Sequence, residues 1–265
     1  MQGQVVAERY RLLQQLGAGT MGEVWLAEHL LLGSKVAVKI IRNEMATHPE
    51  ARGRFFREAQ LAARIASPYV VRVLDFGEGS TAADGMFMVL EYVEGGTLKE
   101  RIQAAGMLSL AETAQWLTHL CRAMSVAHGM GLVHRDLKPA NVLLARNPDG
   151  SAIAKVLDFG VAKVPDILAT PGMDPTRTGT LLGTPYYMSP EQAEGASDLD
   201  HRSDLWALGV IAFECLSGKK PFTGSGLGQL VAKILVAPVP RLGQLVETTP
   251  AVEAWMARAL TRDRN

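Results

Sequence analysis

The chain has 265 residues, 48% of them hydrophobic, with 27 basic and 27 acidic side chains and a formal net charge of zero. That length suffices for one large domain or two lobes, and the balanced charge leaves no electrostatic case for nucleic acid or an anionic membrane as partner. Two cysteines, Cys121 and Cys215, make neither a disulfide framework nor a metal-ligand cluster, which fits a reducing compartment.

Residues 1–11 are polar and lack the apolar core of a secretory leader. Short β-branched runs broken by glycines then predict strands at 10–16, 22–29, 35–41, 70–76 and 86–90. Between the first two lies Gly17-Ala18-Gly19-Thr20-Met21-Gly22-Glu23-Val24, a Gly-x-Gly-x-x-Gly-x-Val string. Glycines let backbone N–H groups come close to phosphates, but such strings also mark plain hairpins and dinucleotide folds. A dinucleotide site needs a strand followed by a helix opener. Here the string sits between two strands, which favours a flap over a nucleotide.

Val36-Ala37-Val38-Lys39 ends an apolar strand on a lysine. The plain reading is a lysine reaching to solvent from an edge. The functional one is a phosphate ligand held by a carboxylate, and Glu58 on the next helix supplies one. That helix is predicted at about 50–65, with Phe55, Ala59, Ala62 and Ala63 on one side and arginines on the other. The stretch Glu91-Tyr92-Val93-Glu94-Gly95-Gly96 reads as a joint, after which the pattern turns helical.

Ser109 and Glu112 form a capping box, followed by apolar residues at Leu110, Ala114, Leu117, Cys121 and Met124, with Gly129 and Gly131 as the stop. This predicts one buried helix face carrying Cys121. Further helices are predicted at 204–216, 226–236 and 251–260. The apolar run 205–213 is too short to span a bilayer and reads as a buried helix. Cys215, Trp206 and Trp255 read as core residues, and Met107, Met124 and Met130 as packing. Any membrane anchor is expected outside these residues.

Between these helices stands His134-Arg135-Asp136-Leu137-Lys138-Pro139-Ala140-Asn141. Asp136 can take a proton from a hydroxyl, Lys138 can neutralise a phosphate, and Asn141 can hold a divalent cation. Phosphoryl transfer needs these parts, because it depends on positioning and electrostatics. Asp158-Phe159-Gly160 follows another apolar strand, 154–157, where a carboxylate suits Mg²⁺. Asp and Gly are also turn residues, but Asn141 upstream favours the metal reading. Residues 164–180 are rich in Pro, Thr, Gly and Asp without periodicity and predict a mobile loop. His29, His48, His119, His128 and His201 show no metal-ligand spacing.

Taken in order, the glycine string, Lys39, the run 134–141 and Asp158-Phe159-Gly160 resemble the eukaryotic-type protein kinase family. Gly183-Thr184-Pro185-Tyr186-Tyr187-Met188-Ser189-Pro190-Glu191 is similar to the end of that family's activation segment. Arg202-Ser203-Asp204-Leu205-Trp206-Ala207-Leu208-Gly209 resembles the start of its central helix. Arg57-Glu58-Ala59-Gln60 and Ser189-Pro190-Glu191-Gln192 are most like bacterial serine/threonine members. The resemblance runs from residue 10 to about 262.

It implies an α+β, bilobal fold: an antiparallel β-rich N-lobe at about 10–92 with one regulatory helix, a hinge at about 91–96, and a helical C-lobe at about 97–265. It implies Asp136 as catalytic base or hydroxyl-orienting residue, Lys138 on the γ-phosphate, and Asn141 and Asp158 as metal ligands. Lys39 and Glu58 would form an ion pair. Residues 17–24 would cover ATP, that is Gly17, Ala18, Gly19, Thr20, Gly22 and Val24. Val24, Ala37 and Leu143 would enclose adenine, with Leu90 as gatekeeper and the backbone of Glu91 and Val93 on its edge. Lys138 and Thr184 would mark Ser/Thr chemistry, and Asp204 would brace the catalytic loop.

Arg135 and Lys163 would bind phosphate on the activation segment, with Thr180 and then Thr178 as acceptors, ahead of Thr176 and Thr170. The cofactors implied are ATP and Mg²⁺, or Mn²⁺ in its place. The partners implied are protein substrates and a homodimer through the N-lobe, in the cytoplasm. The family's arginine partner for Glu191 is not found at Arg262 or Arg264, which predicts an unpaired Glu191 and a chain cut short. Ala62, where the family carries a larger residue, predicts a loosely seated helix. The competing readings are a nucleotide-binding pseudokinase or scaffold and a small-molecule phosphotransferase. Lys39, Asp136 and Asp158 weigh against the former, and residues 183–191 against the latter.

Overall fold

The structure, a computed structural model, describes residues 1–19, 22–41, 49–79, 85–147, 149–159 and 185–263. Thr20, Lys163, Thr170, Thr176, Thr178, Thr180 and Thr184, and with them the predicted loop 164–180, lie outside the described residues. The chain divides into two compact units, Met1–Glu94 and Gly95–Asn265.

The first unit is built on a six-stranded antiparallel sheet in the order β1-β2-β3-β4-β6-β5. The strands are β1 (Val5–Val6), β2 (Tyr10–Gly19), β3 (Gly22–His29), β4 (Lys35–Ile41), β5 (Val73–Glu78) and β6 (Met86–Glu91). β1 was not foreseen, because two residues carry no period. β5 begins three residues later than predicted: Val70 and Val71 are buried but precede the strand. Tyr10, Leu12, Trp25, Ala27, Val36, Val38, Ile40, Phe87 and Val89 form one apolar cluster. The Tyr10 phenol donates to Asp75 Oδ2 at 2.8 Å. Burial and that carboxylate push its pKa up to about 12.

Helix α1 (Pro49–Ala63) buries Phe55, Ala59 and Ala62, as its pattern predicts. Ala63 is exposed instead, since a 3.6-residue turn carries it past the edge of so narrow a stripe.

The second unit holds a three-stranded antiparallel sheet of β7 (Gly95–Thr97), β8 (Val142–Arg146) and β9 (Ala152–Val156). Its helices among the described residues are α2 (Leu98–Ala105), α3 (Leu110–Gly129), α4 (Pro190–Ala193), α5 (Arg202–Ser217), α6 (Leu227–Val236) and α7 (Pro250–Ala259). In α2, Thr97 and Glu100 complete a reciprocal capping box, and those bonds hold the Glu100 carboxyl below its usual range.

Helix α3 begins at Ser109, whose side chain accepts from Glu112 N–H. Its buried face differs from the expected one. Thr113, Trp116, Leu120, Ala123, Met124 and Ala127 turn inward, while Leu110 and Cys121 are exposed. The sequence offers two overlapping stripes. The stripe that brings in the Trp116 ring, with small alanines beside it, wins the core.

Helix α5 is buried along nearly its whole length, and Trp206, Val210 and Phe213 join Phe222, Leu230, Ile234 and Met256 in the unit's main core. Fully burying a side chain such as Phe213 contributes about 1.5–3 kcal/mol. A Cβ on Gly209 would lie 2.9 Å from the Ala259 carbonyl oxygen, so the absence of a side chain lets α5 and α7 approach. Cys215 is buried, and burial beside Glu214 pushes its thiol up to about 12. Trp255, Met107 and Met130, read as core and packing, are instead exposed. Met107 and Met130 lie just beyond the ends of α2 and α3, and Trp255 lies within α7.

Candidate active site

The loop that follows α3 is held by a buried carboxylate. Asp204, 1% exposed in the first turn of α5, accepts the His134 N–H on Oδ2 and the Arg135 N–H on Oδ1, both at 2.9 Å. His128, at the end of α3, places Nε2 2.7 Å from Oδ2. One side chain thus satisfies groups some 70 residues away, where buried N–H groups would otherwise carry a desolvation cost.

His134 is buried and does the next part of the work. Its Nε2 lies 2.8 Å from the Leu157 carbonyl oxygen and its Nδ1 lies 3.2 Å from the Asp136 N–H. A carbonyl can only accept and an N–H can only donate. The ring is therefore neutral with its proton on Nε2. Its face meets Phe159 edge-on, 5.1 Å between centroids. His134 so joins the loop to the strand end that carries Asp158.

Asp136 and Lys138 are half-buried, and the Lys138 ammonium lies 2.8 Å from Asp136 Oδ2. A short 3₁₀ turn, Pro139–Asn141, begins right after Lys138, with Pro139 in its first position. Asn141 Nδ2 donates to the Asp136 carbonyl at 2.9 Å and reaches Oδ2 at 3.5 Å. This orientation assigns Oδ1 as the atom Asn141 can offer to a cation.

Asn141 and Asp158 come together through strand pairing. β8 and β9 are antiparallel with Val142 opposite Val156, and the Leu157 N–H donates to the Asn141 carbonyl at 2.9 Å. The residue before β8 and the residues after β9 thus share one end of the ribbon. Asp158 has φ 55°, left-handed, a conformation Asp tolerates better than most residues. Leu143 lies on β8 between Thr97 and Lys155.

In the first unit the glycine string folds as the β2–β3 hairpin, with Gly17 opposite Val24, Ala18 opposite Glu23 and Gly19 opposite Gly22. A Cβ on Gly17 or Gly19 would meet nothing within 4 Å. Gly22 is different: φ is +149°, and a Cβ there would sit 1.8 Å from the Ile40 carbonyl oxygen. Lys39 on β4 lies between Val24 and Met88, and Ala37 lies opposite Leu90. The end of β6 is pinned by Glu91, whose N–H donates to the Arg72 carbonyl while its carboxylate accepts the Arg72 N–H, both at 3.0 Å. Val93, just beyond, is half-buried. Glu58 lies in the middle of α1 next to the fully buried Ala59.

Three findings stand outside the sequence reading. Glu191 is not unpaired: although it is 5% exposed, the Ser203 hydroxyl donates to its Oε1 at 2.7 Å. His128, dismissed for want of ligand spacing, belongs to the Asp204 cluster, 76 residues away in sequence. The Tyr187 phenol donates to Glu214, which also takes the Lys220 ammonium at 3.0 Å. Burial and that carboxylate push the Tyr187 pKa upward. No local pattern could have announced these pairs.

A loop carrying an acid, a lysine and an amide is thus clamped from a buried helix, in the same unit as the ribbon end that carries Asn141 and Asp158. The family model of the protein kinase domain matches residues 10–255, and the chain belongs to that family. It is 38% identical over 264 residues to the serine/threonine-protein kinase pkn3 of Myxococcus xanthus, covering 98% of this chain and 48% of that protein. It is 37% identical to the serine/threonine-protein kinase PknB of Mycolicibacterium smegmatis, covering 98% of this chain and 41% of that one. The chain therefore spans less than half the length of these curated relatives. The crystal structure of the Mycobacterium tuberculosis PknI kinase domain is similar with a TM-score of 0.75 and 28% identity, covering 99% of this chain and 92% of that one. The fold is the protein kinase fold, with an antiparallel N-terminal sheet and a helical C-terminal part.

Proposed function

We propose that this chain transfers the γ-phosphoryl group of ATP to serine and threonine hydroxyls of proteins. The observation that carries the proposal is the Lys138 ammonium 2.8 Å from the Asp136 carboxylate, in a loop tied down by Asp204 and His134. In this reading Asp136 accepts or orients the proton of the attacking hydroxyl. Lys138 shares its charge between that carboxylate and the phosphoryl group in transfer. Ser/Thr relatives 37% and 38% identical support the acceptor class.

Asn141 and Asp158 offer hard oxygen donors at one end of the β8–β9 ribbon, which fits Mg²⁺. Among the described residues no group of three or more His, Cys, Asp or Glu could hold a metal. That is no obstacle, because Mg²⁺ commonly takes one or two protein oxygens and completes its shell with water and phosphate. When bound, Mg²⁺ would neutralise charge on the phosphates.

Lys39, with Glu58 assigned as its ion-pair partner, is assigned to the α- and β-phosphates, and Gly17, Ala18 and Gly19 to the phosphate flap. The open space over Gly17 and Gly19 supports close approach of a ligand to that backbone. Ala37 and Leu90, opposite each other on β4 and β6, are assigned with Val24 and Leu143 to the adenine, and Glu91 and Val93 to its edge. Autophosphorylation at Thr180 or Thr178, read by Arg135 and Lys163, belongs to the same proposal, as does a homodimer through the strand-rich unit. The exposed pair Leu31 and Leu32, 83% and 73% accessible on the β3–β4 turn, supports such pairing. A cytoplasmic setting is part of the proposal; among the described residues no helix is long and apolar enough to cross a membrane.

Intact mass after incubation with Mg-ATP tests the reading. Added phosphates, absent from Asp136→Asn and mapped to Thr180 or Thr178, are the expected result. No added mass on the chain or on a protein substrate, with nucleotide still bound, would replace it with the nucleotide-binding scaffold.

A further inference from the structure

Arg135 carries its backbone at φ 63°, a left-handed conformation disfavoured for a residue with a Cβ. Such a conformation persists where the surroundings hold it from several sides. Asp204 holds the N–H of this residue at 2.9 Å. Its carbonyl oxygen is held from a different element: Gln192 Nε2 donates to it at 2.8 Å.

Gln192 is the third residue of α4. Its Oε1 accepts the Ser189 N–H at 3.0 Å, while Ser189 Oγ accepts the Gln192 N–H. One amide group therefore works at both ends. Its oxygen closes the start of α4, and its nitrogen closes the catalytic loop. The orientation of the amide follows from its partners, since flipping it would set donor on donor at Ser189 and acceptor on acceptor at Arg135.

The bond to Arg135 matters for its neighbour. The peptide plane between Arg135 and Asp136 has two polar atoms, the Arg135 oxygen and the Asp136 N–H. Gln192 holds the first, and His134 Nδ1 holds the second at 3.2 Å. With both atoms held, the plane cannot rotate, and the direction in which the Asp136 side chain leaves it is set. We infer that Gln192 is a positioning residue for Asp136, acting through the Arg135–Asp136 peptide. This rests on the reading of Asp136 as the hydroxyl-orienting group.

The test separates positioning from helix capping. Gln192→Glu keeps an oxygen for the Ser189 N–H but sets a carboxylate against the Arg135 carbonyl. Ser189→Ala weakens the cap and leaves the Arg135 contact in place. For Gln192→Glu, kcat should fall about ten- to a hundredfold, the range a small misplacement of a reacting group produces. KM for ATP and the melting temperature should stay near those of the parent chain. Ser189→Ala should lower the melting temperature more than kcat. Parent-like kcat in Gln192→Glu, or equal losses of kcat and thermal stability in both variants, would overturn the inference.

Amide exchange gives a readout independent of turnover. Residues 133–138 should exchange faster in Gln192→Glu, with residues 202–217 unchanged. Unchanged exchange at 133–138 refutes the positioning role even if the parent chain proves inactive. Inactivity of the parent chain itself would count against the proposed kinase reaction instead.

Discussion

The proposed site residues of the two units are held in place by different means. On β4, Lys39 and Ala37 take their positions from a ladder of backbone bonds between adjacent strands, and changing one side chain leaves the ladder standing. In the loop 134–141 no ladder exists. Asp204 and Gln192, from distant parts of the chain, and His134, from within the loop, satisfy its backbone groups one by one. A sheet spreads its support over many equivalent bonds. A loop concentrates it in a few buried side chains, so single substitutions there should do more harm.

The largest effect should come from Asp136→Asn, which removes the proposed proton acceptor. Phosphate incorporation should fall by about 10²–10⁴-fold with the melting temperature retained. Radiolabel transfer alongside calorimetry checks both halves, and full activity in the variant would remove Asp136 from its role. The matching change in the other unit, Lys39→Met, should lower phosphate incorporation to a similar extent while leaving the sheet as stable as before.

Next in size is Asp204→Ala. It strands the His134 and Arg135 N–H groups and the His128 contact, a loss of roughly 3 kcal/mol. Chemical denaturation measures it. A loss as small as that of an ordinary surface change would mean that the loop does not depend on one clamp.

The hairpin permits a sharper contrast. Gly22→Ala drives a Cβ to 1.8 Å from the Ile40 oxygen at a positive φ, and should cost about 1–3 kcal/mol. Gly17→Ala and Gly19→Ala meet nothing within 4 Å. Their stability should stay within about 0.5 kcal/mol of the parent while KM for ATP rises. Equal destabilisation in all three would erase the distinction between the structural glycine and the two proposed to face the ligand.

The smallest effect concerns pH. His119 Nδ1 accepts the Ala154 N–H at 3.2 Å, and burial, with Arg122 nearby, lowers its pKa. The folded state thus favours the neutral ring. Its contribution is present above the ordinary histidine range and is lost as pH falls below it. Melting curves between pH 7.5 and 5 should show a decline that is shallower in His119→Gln, which keeps an acceptor but does not titrate.

Much of this molecule was legible before any coordinate. Strands β3 and β4 appear at the boundaries the sequence predicts, because alternation and flanking turns act over a few residues. Helices α5, α6 and α7 were likewise visible. The face of α3 was not. Leu110 and Cys121 fit a helical stripe as well as Trp116 and Leu120 do, and only the packing partner chooses between them. The same limit hid His128, Gln192 and the Ser203–Glu191 bond, all of which join residues from different elements.

The chain's sequence alone determined which chemical groups are available and in what order: Lys39, Glu58, Asp136, Lys138, Asn141 and Asp158 stand in motifs that resemble those of the protein kinase family. The tertiary structure decided how those in the second unit are aimed. It set the tautomer of His134, the orientation of the Asn141 amide and the peptide plane beside Asp136. The physical reason is range. Propensity and periodicity act within a turn or a strand, whereas a buried donor is satisfied by whichever acceptor the fold brings within about 3 Å, however far away it lies in the chain.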